Sequence, residues 1–143
     1  MHPTATPAGN ESVWMGEALL EAARSLEHDD VPVGAVVVRL STGEIVARAH
    51  NARERDHDPT AHAELLALRS AAVAAGTWRL TDYALVATLE PCPMCAGAAW
   101  AARVGLVVFG AADPRLNHDM DVVAGVRAEE CAKLLTTFFQ SRR

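Results

Sequence analysis

The chain has 143 residues, half of them apolar, with three cysteines and a formal net charge of −5. This length fits one domain with a sizeable core, and the apolar content excludes a disordered chain. No apolar run is long enough to span a bilayer, so we expect no membrane partner. Proteins that bind nucleic acid mainly through phosphates are usually basic, so the acidic balance weighs against a large nucleic-acid footprint but allows a local basic patch.

The beginning of the chain and its cysteines set the domain boundary and the compartment. Residues 1–10 are small, polar and proline-containing, without the apolar region of a signal peptide. We expect a flexible tail over residues 1–10 and a single domain over residues 11–143. Three cysteines, two of them in a metal-like spacing, favour a reducing cytoplasm over a disulfide framework.

The first predicted elements are a helix and a β-hairpin. Asn10 is a candidate cap for an amphipathic helix that starts at Glu11. Its apolar stripe recurs every four residues, at Trp14, Ala18, Ala22 and Leu26. Glu11, Glu17 and Glu21 fall largely off that stripe. A valine-rich strand over residues 33–40 and a second strand over residues 45–50 flank a glycine-containing turn, which predicts a hairpin. By itself, Asn51 at its end is an ordinary turn residue.

A second helix carries a histidine and a glutamate at its start. Thr60 is a candidate cap for a helix over residues 61–75, with a buried stripe at Leu65, Leu68 and Ala72. His62 and Glu64 are two residues apart in its first turn, so their side chains point in different directions. That suits one residue that binds a metal and one that faces what the metal binds, although both residue types are also common on surfaces.

A third helix begins with two cysteines. An apolar strand over residues 83–89 runs directly into Glu90-Pro-Cys-Pro-Met-Cys95. Pro93 fits the first position of a helix that Cys92 caps and that continues to about residue 103. Cys92 and Cys95 lie three residues apart on its first turn, so both thiols can face one metal. The positive end of the helix favours their thiolate form.

Together these side chains predict a catalytic zinc site. Zinc takes sulfur and imidazole nitrogen in tetrahedral geometry, and a catalytic site uses three protein ligands, here His62, Cys92 and Cys95. The fourth position is then free for water, whose pKa zinc lowers to about 7. Glu64, which zinc does not need, would shuttle the proton. The interpretation is a zinc hydrolase.

Two alternatives stay open on the residues alone. Cys-x-x-Cys at a strand-to-helix junction is also the thioredoxin redox arrangement. A structural zinc site would need a fourth ligand, for which His50, His57 and His118 are the candidates. We prefer catalytic zinc, because each alternative leaves one half of the signature unexplained.

The last third of the chain predicts a strand over residues 104–110, a polar loop over residues 111–119, a short strand over residues 120–123 and a helix over residues 127–141. We expect Cys131 to be a small buried side chain and not a third thiol ligand. Arg142 and Arg143 follow this helix and could add phosphate contacts.

More of the chain than the two motifs carries a resemblance to a known family. The segments are Val31-Pro-Val-Gly-Ala-Val36, Asn51, Asp58-Pro-Thr-Ala-His-Ala-Glu64, Thr88-Leu-Glu-Pro-Cys92, Met94-Cys-Ala-Gly97, Val108-Phe-Gly-Ala111 and Glu129-Glu-Cys131. They resemble the bacterial tRNA-specific adenosine deaminases of the cytidine and deoxycytidylate deaminase superfamily. The resemblance implies a cytidine-deaminase-like fold, which is a three-layer α/β arrangement with a mixed five-stranded sheet flanked by helices. It also implies a homodimer.

The resemblance further implies a reaction and a site. The reaction is conversion of adenosine to inosine at the wobble position of a tRNA anticodon, with one zinc ion per chain. His62, Cys92 and Cys95 would bind the zinc ion, and Glu64 would move the protons. Asn51 and the backbone around Val33 and Ala63 would hold the flipped base, and Asp113 matches a loop position that touches the RNA. A deaminase of a free nucleobase or nucleoside, of guanine, cytosine or cytidine type, is the alternative.

The chain departs from the family pattern between Arg115 and Leu116, where a longer segment with a Gly-Ser pair and a helix is absent. Parallel neighbouring strands need a crossover of about a dozen residues or more. The loop over residues 111–119 is barely long enough for such a crossover. Either the crossover is stretched and irregular, with a parallel last strand as in the tRNA branch, or the last strand is antiparallel, as in the branch that acts on free nucleosides.

Overall fold

A five-stranded mixed sheet organises the fold in a computed structural model that describes residues 9–113 and 121–142. Its strands are β1 (Gly34–Arg39), β2 (Ile45–His50), β3 (Tyr83–Leu89), β4 (Leu106–Ala111) and β5 (Val122–Val123). Their spatial order is β2-β1-β3-β4-β5. Strand β1 is antiparallel to both of its neighbours, whereas β3, β4 and β5 are parallel. The predicted mixed five-stranded sheet flanked by helices is confirmed.

In the described part of the chain, five α-helices flank this sheet. They are α1 (Glu11–Arg24), α2 (Arg53–Asp56), α3 (Ala63–Ala75), α4 (Pro93–Ala101) and α5 (Ala128–Gln140). A 3₁₀ turn (Ser25–His28) follows α1. Within the described ranges, no helix is long and apolar enough to cross a membrane.

Each face of the sheet has its own apolar core. Val37, Leu85 and Phe109 belong to a cluster that also includes side chains of α3 and α4. Val36 and Val86 point to the other face, where they join side chains of α1 and α5. Because both faces are covered, the central strands read as continuous apolar runs instead of alternating apolar and polar residues.

Helix starts are where the predictions from sequence and the structure differ most. The prediction that Thr60 caps a helix starting at residue 61 is wrong, because α3 begins at Ala63 and His62 occupies the cap position. The hydroxyl and N–H groups of Thr60 instead donate to Asp58 Oδ1 at 2.7 and 2.8 Å, which closes a local turn. Asn10 does occupy the cap position of α1, but its side chain makes no capping hydrogen bond.

The buried apolar stripe predicted for α1 is wrong at its last position, Leu26. Leu26 is 45% exposed, because the helix changes to a 3₁₀ turn at Ser25 and the four-residue spacing no longer applies. Glu11 and Glu21, expected off the stripe, are buried. On α3, the buried positions are Ala63, Glu64, Ala67, Leu68 and Ala71, so the predicted Leu65 and Ala72 are only half-buried.

The last strand resolves the choice that the shortened segment left open. Val122–Val123 pairs in parallel with Val107 and Val108 of β4. Residues 114–120 of the connection, including Arg115 and His118, lie outside the described residues, as do residues 1–8 of the predicted tail and Arg143. A parallel β5 is the arrangement that the resemblance implies for the tRNA branch.

Candidate metal centre and active site

Three potential ligands converge where α3 and α4 begin. His62 is the cap residue of α3, Cys92 is the cap residue of α4, and Cys95 lies in the first turn of α4. His62 Nδ1 lies 3.7 Å from Cys92 Sγ and 3.5 Å from Cys95 Sγ. All three ligand atoms lie within 4.8 Å of one another, and among the described residues no other group of histidine, cysteine or acidic side chains does so.

These distances fit a tetrahedral zinc ion. Zinc–nitrogen bonds of about 2.0–2.1 Å and zinc–sulfur bonds of about 2.3 Å place a nitrogen and a sulfur ligand about 3.6 Å apart. Burial, followed by the charge of Arg53, lowers the pKa of His62, so the imidazole is neutral and able to ligate. Burial raises the pKa of the Cys95 thiol, as do the nearby Glu64 and Cys92. A bound cation offsets those effects and stabilises the thiolate.

Glu64 is a buried carboxylate beside this cluster. It is 4% exposed, and burial raises its pKa to about 6. Its Oε1 atom has no hydrogen-bond partner among the described residues. Unpaired polar atoms in protein interiors are rare, and each one calls for an explanation such as a functional role. Glu64 is therefore suited to exchange protons with a molecule bound next to the three ligands.

Asn51 connects two segments around the site. Its backbone N–H donates to Val33 O at 3.0 Å, and its side-chain Oδ1 accepts the N–H of Ala63 at 2.9 Å. The second contact satisfies one of the free N–H groups at the start of α3. Because the amide oxygen is used in this way, the amide NH₂ group is the part of the side chain left to donate to a ligand.

A pocket of about 280 Å³ opens beside the cluster. It is lined by Val31, Val33, Asn51, Arg53, His62, Glu64, Leu89, Glu90, Cys92, Asp113 and Phe139. The structure thus brings Val33, Asn51 and Asp113 to the same cavity as His62, Glu64 and Cys92. The backbone N–H of Ala63 is hydrogen-bonded to Asn51, which lines the cavity. Cys95 is fully buried and is not among the residues that line the cavity.

Residues 9–111 match the family model of the cytidine and deoxycytidylate deaminase zinc-binding region. The chain belongs to this deaminase family. It is 47% identical over 148 residues to the tRNA-specific adenosine deaminase of Bacillus subtilis (strain 168), with 93% of this chain and 91% of the relative covered. It is 40% identical to the corresponding enzyme of Streptococcus pyogenes serotype M18, with 93% and 92% covered.

Solved structures of deaminases are also similar. One comes from a study of A-to-I editing by tRNA:A34 deaminases at the wobble position of transfer RNA. It has a TM-score of 0.79 and 37% identity, with 87% of this chain and 99% of that chain covered. A guanine deaminase from Bacillus subtilis has a TM-score of 0.66 and 37% identity, with 70% and 63% covered. The cytidine-deaminase-like fold and a zinc cofactor are therefore confirmed for this family member.

Two of the histidines considered for a structural zinc site, His50 and His57, lie outside the cluster in this deaminase. His50 Nδ1 faces Glu21 Oε2 at 2.9 Å. His57 is exposed at the end of α2, and His118 lies outside the described residues. Within the described residues the cluster therefore offers three potential ligands and not four. The redox alternative leaves the imidazole beside both thiols without a purpose.

Several pocket residues were not predicted as site residues. Phe139 reaches the pocket from α5, and no local sequence pattern indicates that contact. Arg53 lies between the predicted hairpin and the predicted second helix, where no motif marks it as a site residue. Glu90 lies in a recognised motif, but its contact could not be inferred from the sequence: its Oε1 accepts the N–H of Asp113 at 2.8 Å.

We predict that the purified protein carries about one zinc ion per chain and that His62→Ala loses it. His57→Ala serves as the matched control, because His57 is exposed and outside the cluster. Metal analysis after dialysis measures the number of zinc ions per chain for each variant. Zinc retained by His62→Ala at the wild-type ratio would exclude His62 as a ligand.

Proposed function

We propose that this protein is a zinc-dependent deaminase that converts adenosine to inosine at the wobble position of tRNA anticodons. The reaction type rests on one observation, the buried Glu64 carboxylate with an unpaired oxygen beside His62, Cys92 and Cys95. The RNA substrate is supported by the similarity to tRNA-specific adenosine deaminases over most of the chain and by the parallel β5. In this proposal the protein acts in the cytoplasm.

His62, Cys92 and Cys95 would hold the zinc ion. When bound, zinc supplies an activated water at neutral pH, since it lowers the pKa of water to about 7. Glu64 accepts the proton released as the water oxygen bonds to C6 of adenine. Glu64 passes this proton to the neighbouring ring nitrogen, then takes the second proton from the new hydroxyl group at C6. It delivers that proton to the amino group, which leaves as ammonia when the C6–N bond breaks. The product base carries a carbonyl oxygen where adenine had its amino group.

The remaining pocket residues would hold the base. Asn51 is fixed at both its backbone and its side-chain oxygen, so its amide NH₂ group has a defined direction from which to donate to the base. The backbone around Val33 and Ala63 completes this wall. Asp113 stands at the mouth and would touch the RNA outside the flipped nucleotide. Chemistry on a base requires extrusion into such a pocket, and an unstacked anticodon loop lowers that cost.

We predict that Glu64→Gln keeps zinc and fold but lowers kcat by at least about 100-fold, because an amide cannot transfer the proton. Glu54→Gln, an exposed substitution on α2, is the control. Inosine formation, zinc content and thermal unfolding are measured on all three proteins. Wild-type turnover by Glu64→Gln would remove Glu64 from the mechanism.

We predict inosine in an anticodon stem-loop that has adenosine at the wobble position, with activity that falls as salt rises, because phosphate contacts release counterions. The same assay is run on free adenosine, guanine, cytosine and cytidine, with chromatography of products and detection of ammonia. Rapid turnover of a free base or nucleoside, with no inosine in the stem-loop, would replace the tRNA substrate and leave the deaminase reaction intact.

The homodimer is part of the same proposal. An apolar groove of about 310 Å³ lies between α3 and α4, with Trp78 at its edge and 61% exposed. Trp100, on α4, is 64% exposed. Tryptophan is enriched among the residues that contribute most to protein interfaces. This surface, formed by α3, α4 and the two tryptophans, is where we place the second copy.

We predict a dimer by light scattering at micromolar concentration, and a monomer for Trp100→Glu. Leu20→Glu is the matched control, since Leu20 is also 64% exposed but lies on α1, on the opposite face of the sheet. Wild-type protein that scatters as a single chain would contradict the dimer. Dissociation by Leu20→Glu and not by Trp100→Glu would move the interface to α1.

A further inference from the structure

Arg53 is a cation at the mouth of the active-site pocket. It is exposed and lines the pocket, and its charge contributes to the lowered pKa of His62. Among the described residues, its guanidinium group has no hydrogen-bond or ion-pair partner. Arg55, two residues further on the same turn, is instead bound to Asp56, with its Nε atom 2.8 Å from Asp56 Oδ1. The turn therefore presents one engaged and one available guanidinium.

The charges around Arg53 define what it can bind. Glu64, Glu90 and Asp113 line the same pocket, so a phosphate that arrives with a nucleotide meets several carboxylates. Of the described side chains that line the pocket, Arg53 is the one permanent cation. A guanidinium presents several donors in a planar fork that matches phosphate oxygens. The chemistry at this position therefore fits a phosphodiester group of a nucleotide whose base occupies the pocket.

A buried carboxylate holds the turn that carries Arg53. Asp30 is 1% exposed, and its Oδ1 accepts the N–H of Glu54 at 2.8 Å. Its Oδ2 lies 2.5 Å from His28 Nδ1 and accepts the N–H of Arg55 over a longer 3.4 Å. Burial opposes the ionisation of Asp30, but these hydrogen bonds outweigh it and lower its pKa. The carboxylate is therefore charged at neutral pH.

Asp30 also connects two walls of the pocket. It directly precedes Val31, which lines the pocket on one side, while the turn that it holds carries Arg53 on the other side. A short turn of four residues has little stability of its own, so its position depends on such anchoring. Loss of the carboxylate would free α2 to move relative to β1 and would displace Arg53 from the mouth.

We infer that Arg53 binds a backbone phosphate beside the flipped nucleotide and that Asp30 is a positioning residue that acts through Arg53. This inference rests on the proposed RNA substrate. Arg53 contributes to binding and leaves the chemical step to Glu64 and the metal ligands. Asp30 contributes nothing to binding once Arg53 is absent.

The first test compares Arg53→Gln with Arg55→Gln on the anticodon stem-loop across a range of salt concentrations. Arg53→Gln should raise KM about three- to tenfold at low salt, with kcat unchanged, since one charge-assisted contact is lost. The slope of log(kcat/KM) against log(salt) should become shallower by about 0.7, the value for one phosphate contact on a single strand. Arg55→Gln should match wild type in both its KM and its salt slope. An unchanged slope for Arg53→Gln would overturn the inference.

The second test is a double-mutant cycle between Asp30 and Arg53. Asp30→Ala should raise KM about as much as Arg53→Gln, and the double variant should be no worse than Arg53→Gln alone. Asp30→Asn keeps an acceptor oxygen for the N–H of Glu54 and should stay closer to wild type. Additive effects in the double variant would show that Asp30 does not act through Arg53.

Two controls separate the possible failures. Zinc content and thermal unfolding identify variants that are merely misfolded, and Asp30→Ser replaces Asp30→Ala in the cycle if alanine prevents folding. Wild-type protein that forms no inosine in the stem-loop would defeat the proposed function. Wild-type activity together with an unchanged salt dependence in Arg53→Gln would defeat only the phosphate contact.

Discussion

The site depends on a cation that stabilises negative charge in a buried space. Burial raises the pKa of both the Cys95 thiol and Glu64, and the charge of Glu64 further disfavours ionisation of Cys95. The N-termini of α3 and α4 meet there, and their partial positive charges offset part of this cost. A divalent cation offsets the rest, because metal binding and ligand deprotonation are coupled. Metal affinity and proton transfer are thus properties of one electrostatic arrangement.

The sheet topology explains how residues distant in sequence reach one pocket. Strand β1 is antiparallel to both β2 and β3, so its beginning lies at the same edge of the sheet as their ends. Val33 precedes β1, Asn51 follows β2, and Cys92 follows β3. Strand β4 is parallel to β3 and delivers Asp113 to the same edge. The backbone N–H of Glu90 donates to Ala111 O at 2.8 Å, which joins the ends of β3 and β4 directly.

Local patterns predicted the strands and the three side chains that converge as potential metal ligands, because both depend on short-range spacing. The Cys-x-x-Cys turn and the apolar runs are visible in a few consecutive residues. Other features depend on tertiary contacts, which a single sequence does not encode locally. Glu21 is buried because it meets His50 from another element, and Phe139 enters the pocket only after α5 packs on the sheet. Thr60 has the chemistry of a helix cap, but its hydrogen bonds to Asp58 place it in a local turn, and α3 begins only at Ala63.

The net charge of −5 is a poor guide to whether this chain binds RNA, because it counts carboxylates that the fold has placed inside. At least five acidic side chains are buried, namely Glu11, Glu21, Asp30, Glu64 and Glu90. Asp30 and Glu21 each face a histidine, and Glu90 accepts a backbone N–H. A nucleotide that approaches the pocket therefore meets a local balance of charge in which Arg53 stands exposed. For a substrate whose base is flipped into a pocket, contacts to the base carry the specificity, so a phosphate contact such as that of Arg53 needs only to position the nucleotide.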